Sequence, residues 1–153
     1  MGVGDTGTPP GVVQYLAEID ALTIQFFPGG IIPKPLTGRF VEFPEMGLIV
    51  TGQWDDEGRL YAIAVAQASQ HVPRALFKNP SGAPLTVVAA SDEPGTAVLG
   101  LFPGALNAVS YRMAWDLFDG GDPIDILLAK SRKIVAFCIP NAADRLPDSF
   151  PLP

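Results

Sequence analysis

From Val12 to Phe27 the apolar residues recur at helical spacing. Val12, Leu16, Ile19, Thr23 and Phe26 form one stripe, which Tyr15, Leu22 and Phe27 widen. Gln14, Glu18 and Gln25 fall opposite. Thr8-Pro9-Pro10 supplies an N-cap followed by proline in the first turn, and Pro28-Gly29-Gly30 supplies a stop. The pattern predicts one amphipathic N-terminal helix near residues 11–27.

After residue 30 the chain breaks into short β-type runs separated by Gly and Pro, which number 16 each. Arg39–Phe43 is one run. Gly47–Gln53 and Arg59–Gln67 flank Asp55-Asp56-Glu57-Gly58 and read together as a hairpin. Arg74–Lys78 precedes the turn Asn79-Pro80-Ser81-Gly82. Leu85–Ala90 and Ala97–Phe102 flank Ser91-Asp92-Glu93-Pro94-Gly95 as a second hairpin. Ile124–Ala129 and Lys133–Ile139 flank Lys130-Ser131-Arg132 as a third. Segment 105–118 fits two periods. Leu106, Val109, Met113 and Leu117 share a helical face. Val109, Tyr111, Met113, Trp115 and Leu117 also alternate with polar or small residues. The alternation covers more positions with β-favouring types, so a strand is predicted. One helix and about eight strands joined by tight turns predict a mainly β domain, an antiparallel sandwich or barrel.

The chain has 153 residues, the size of a single domain able to bury a core without disulfides or metal. Residues 1–9 and the Pro-rich 141–153 read as extended arms around a core at 10–140. Charged residues are only 17% of the chain, too few to coat a small monomer, which points to a surface covered by a partner. The net charge of −6 repels phosphate backbones, so no nucleic-acid partner is expected. No apolar run approaches membrane-spanning length and no signal peptide is visible. The expected location is the cytoplasm, or a particle assembled there. Cys138, the single cysteine, sits in an apolar run and reads as a small buried hydrophobe.

Little in the sequence carries chemistry. The single histidine, His71, reads as a solvated loop residue. No Gly-x-Ser-x-Gly, phosphate loop or dinucleotide fingerprint is present. One His and one Cys argue against a zinc site within the chain. Asp116, Asp119, Asp122 and Asp125 surround Gly120-Gly121 at a spacing that departs from calcium loops. Asp119 and Asp122 are therefore read as turn residues without a metal. Trp54 beside Asp55, Asp56 and Glu57 has a sugar-binding composition, and Trp54, Asp55 and Asp56 are the candidate ligand-binding residues. Glu42, Glu45 and Asp116 are conceivable acid–base groups, but nothing pairs any two of them. No catalytic residue and no cofactor is assigned.

These observations favour a structural or assembly protein, a subunit of a homo-oligomer or of a larger particle such as a virion, with the arms lying on neighbouring subunits. A small-molecule-binding β-barrel or sandwich, with isomerase or cyclase activity, is the alternative. A carbohydrate-binding module resting on Trp54 is a third reading.

Overall fold

The computed structural model describes residues 11–26, 37–77, 83–84, 86–89, 95–117 and 123–147, with 83–84 and 86–89 as backbone only. Its strands are β1 (Val12–Leu16), β2 (Ala21–Gln25), β3 (Thr37–Phe43), β4 (Leu48–Trp54), β5 (Leu60–Ala66), β6 (Ala83–Pro84), β7 (Thr86–Ala89), β8 (Ala97–Gly100), β9 (Val109–Trp115), β10 (Ile124–Ala129) and β11 (Ile134–Ile139). Two single-turn helices, α1 (Ala68–His71) and α2 (Ala142–Arg145), complete it with 3-10 turns at Arg74–Phe77 and Ala105–Ala108.

Two open antiparallel sheets enclose the core. Sheet A runs β3-β4-β5-β2-β1 with the two-residue β6 at its edge. Sheet B runs β8-β11-β10-β9 with the short β7 at its edge. Neither sheet closes on itself, so of the two architectures expected, the sandwich is the one observed. The hairpins predicted around residues 55–58 and 130–132 are both present. So is the pairing of β7 with β8.

The predicted N-terminal helix at 11–27 is not formed over its described part. Residues 12–25 are instead the hairpin β1–β2, in register Val13↔Ile24 and Tyr15↔Leu22. Over so short a segment the two periods share positions. Val13, Leu22 and Ile24 are buried on one side, while Gln14, Thr23 and Gln25 lie on the other. β-Branched Val12, Val13, Thr23 and Ile24 favour the pleated form. Ile19, assigned to the apolar helical stripe, is 69% exposed in the turn, which Asp20 closes at φ 51°.

Two further expectations need correction. The described part of the run Arg74–Lys78 is not a strand, because Arg74–Phe77 forms a 3-10 turn behind Pro73, with Leu76 and Phe77 packed on the core. Within the segment expected to be an extended C-terminal arm, Ala142–Arg145 is a helical turn. Ala142 and Leu146 are buried in the core, and Arg59 donates hydrogen bonds to the carbonyls of Ala143 and Leu146. In segment 105–118 the expected strand is present as β9, with a 3-10 turn before it.

The core lies between the inner faces. Sheet A contributes Leu22, Ile24, Leu48, Val50, Ile63 and Val65, and sheet B contributes Leu99, Trp115, Ile124, Ile126, Phe137 and Ile139. Each such side chain stabilises the fold by about 1.5–3 kcal/mol through burial. Gly52 faces inward on β4 and leaves the space that Leu117 fills. A Cβ there would stand 2.5 Å from Leu117 Cδ2.

Candidate functional site

The outer face of sheet A is built from the alternate residues of its strands. One row across it reads Phe40, Thr51, Ala64, Thr23, Gln14. The rows beside it hold Glu42, Ile49, Ala66, Ala21 and Leu16, and Gly38, Gln53, Ala62, Gln25 and Val12. Among the described residues Glu42 is the only ionisable side chain on this face. A solvated face of an antiparallel sheet ordinarily alternates to polar and charged residues. Here β5 presents Ala62, Ala64 and Ala66, which keep the centre flat, and Phe40 stands 67% exposed beside exposed Ile49. Sheet B differs. Its outer Leu127, Ala136 and Cys138 are buried in a second apolar cluster with Ala105, against which Phe102 and Leu106 pack. It also carries the ion pair Arg112–Asp125 at 3.3 Å.

β3 ends sheet A, and among the described residues no strand pairs with its outer edge. Beside it, where the β3–β4 turn meets β9, lies a cleft of about 200 Å³ lined by Glu42, Phe43, Pro44, Glu45, Met46 and Met113. Phe43, Met46 and Met113 pack on the core and form its apolar part. Glu42 and Glu45 are exposed at its rim. Two of the three acids considered for acid–base chemistry thus share one cleft, while Asp116 is exposed at the end of β9.

The acidic turn after Trp54 is a closed hydrogen-bonded unit. Asp55 is buried, and its Oδ1 accepts the backbone N–H groups of Glu57 and Arg59, both at 2.9 Å. Asp56 and Glu57 are exposed, with ligand atoms of all three acids within 4.8 Å of one another. Trp54 is half-buried and packs against the core. Asp119 and Asp122 lie outside the described residues. Cys138 is buried in the second apolar cluster, as expected.

His71 is buried at 5% exposure and is not a solvated loop residue. It ends α1, which three hairpin turns hold. From the β1–β2 turn, the Asp20 carbonyl accepts the Ala68 N–H at 2.8 Å. Asp20 Oδ1 accepts the Ser69 N–H at 2.9 Å and the Tyr15 hydroxyl at 2.7 Å, and its Oδ2 accepts the Ser69 hydroxyl at 2.6 Å. From the β10–β11 turn, Lys133 Nζ donates to the Gln70 carbonyl at 2.7 Å. From the β3–β4 turn, the Gly47 backbone hydrogen-bonds the His71 ring, whose Nε2 is buried without a partner. Donation from Ser69, then from Tyr15, holds the Asp20 carboxyl below its usual range. The same bond raises the Tyr15 phenol. Burial lowers His71, with Lys133 adding to the effect and Gly47 and Asp20 opposing it. A carboxyl held below its usual range is a weak base for the Ser69 hydroxyl, and the bonds that Asp20 accepts from the Ala68 and Ser69 N–H groups anchor the start of α1.

Among the described residues no helix is long and apolar enough to cross a membrane. No protein-family model, curated protein or solved structure matches the chain.

Proposed function

We propose that the protein is a β-sandwich subunit of a homo-oligomer or larger particle, and that it associates through the outer face of sheet A. The observation that carries this reading is the face itself. It is flat at its alanine centre, has Glu42 as its only ionisable side chain among the described residues, and exposes Phe40 and Ile49. Apolar surface left in water favours association by roughly 25 cal/mol per Å² removed. The few charges of the whole chain accord with a covered surface. The cleft beside β3, about 200 Å³, falls below the roughly 300–1,000 Å³ of small-molecule pockets, so this cleft is not the basis of a ligand-binding reading. Trp54, packed on the core, offers little open ring for a sugar.

The test is native mass measurement of the protein and of Ala64→Arg, which sets a charge at the centre of the face. The reading expects an oligomer that Ala64→Arg weakens. A monomer at all accessible concentrations would defeat it.

A further inference from the structure

The edge of β3 adds a second contact of different geometry, one that rests on the assembly reading. We propose that β3 pairs antiparallel with β3 of a second copy about a twofold axis through Phe40, each Arg39 reaching the acid-rimmed cleft of the other chain.

Register selects this pairing. About a twofold axis normal to the sheet, opposed residues share a face, so the axis must pass through a residue. Centred on Arg39, it opposes two arginines. Centred on Glu42, it opposes two carboxylates. Centred on Val41, it sets Gly38 against Pro44, which has no N–H to give the ladder. Centred on Phe40, all seven residues of β3 pair, Phe40 meets the partner's Phe40, and Glu42 meets the partner's Gly38.

Charge then fits. Arg39 is exposed and lies on the side of β3 that carries Val41 and Phe43. It stands opposite the partner's Val41 and diagonal both to the partner's Phe43, which lines the cleft, and to the partner's Arg39. A diagonal neighbour is within reach of a long side chain. Arg39, Glu42 and Glu45 are exposed, so their charged groups face solvent. Edge charges usually block strand addition. In this register no two like charges stand directly opposite one another.

The experiment is sedimentation velocity over a concentration series on the full chain, on Arg39→Glu, on Glu45→Arg and on an equimolar mixture of the two. All changes are at exposed positions, and far-ultraviolet circular dichroism verifies folding. Each variant alone sets like charges together in both symmetric contacts and should weaken association about tenfold or more. The mixture restores opposite charges in both contacts and should recover affinity. Protection of β3 amides from hydrogen exchange should rise with concentration in the unaltered chain. An associating chain whose variants match it, or whose mixture is no tighter than either variant, overturns the edge pairing and leaves assembly through the sheet face standing. A chain that stays monomeric overturns both.

Discussion

The Asp20 carboxylate caps a helix 49 residues away, its Oδ1 accepting the Ser69 N–H at 2.9 Å and its Oδ2 the Ser69 hydroxyl at 2.6 Å. Asp20 itself sits in the left-handed region at φ 51°, and so does Gln67 ahead of α1. Such conformations disfavour most side chains but are tolerated by Asp. The backbone strain and the cap therefore belong to one device that fixes the β1–β2 turn to α1.

Asp20→Ala should lower the melting temperature and speed hydrogen exchange at Ser69. Asp20→Asn, which keeps an acceptor without the charge, should do less. Because the Asp20 carboxyl is held below its ordinary value of 3.8, its contribution is present above that pH and is lost as pH falls through the lowered folded value. Acid unfolding of the unaltered protein should therefore steepen below about pH 4, and that steepening should shrink in Asp20→Asn. Equal acid profiles would show that the bond contributes nothing to folding.

His71 has the opposite sign. Its pKa is lowered by burial, so the unfolded chain takes up the proton first, near the ordinary histidine value of 6.5. Stability should fall as pH drops through that value and level off below the lower folded value. As the only histidine in the chain, its ring signals are assignable without ambiguity by NMR. Urea midpoints at pH 7.5 and 5.5 should differ in the unaltered protein and differ less in His71→Gln. A folded-state titration at the ordinary histidine value would contradict the burial argument.

How far the fold was legible follows from where each signal lies. The β4–β5 and β10–β11 hairpins carry their turns in adjacent residues, Asp55–Gly58 and Lys130–Arg132, so local chemistry reveals them. Segment 12–25 misleads because residues spaced for a short helix also alternate as a hairpin. The burial of His71 depends on Gly47, Asp20 and Lys133, which come from three separate turns, and no spacing announces them. Arg39–Phe43 is readable as a strand. That it is an edge, with Phe40 turned to solvent, depends on the strand order of the whole sheet.

Gly52 should be intolerant of a side chain. A Cβ would lie 2.5 and 2.8 Å from the methyls of Leu117, which is fully buried and has no solvent to move into. Gly52→Ala should destabilise by about 1–3 kcal/mol, the usual scale of overpacking. Adding Leu117→Val should recover part of that loss, read as a coupling in urea denaturation. Additive losses would show that Leu117 does not oppose the new methyl.

The segment after Pro140 should matter to folding before it matters to assembly. Leu146 is 1% exposed and Ala142 is 2% exposed, both within the main core. The Ala142 N–H donates to the Gly95 carbonyl at 2.7 Å, and Arg59 reaches across from the β4–β5 hairpin to the last carbonyls of this turn. Removing Leu146 leaves a cavity beneath elements that are already fixed. Leu146→Ala should therefore cost about 2–5 kcal/mol. A chain ending at Pro140 loses that side chain, Ala142 and both acceptors of Arg59. It should unfold at lower urea than Leu146→Ala does, with a circular dichroism melt shifted the same way. An arm serving only neighbouring subunits would behave differently, because its removal would lower the sedimentation coefficient of the assembly and leave the urea midpoint of the subunit unchanged.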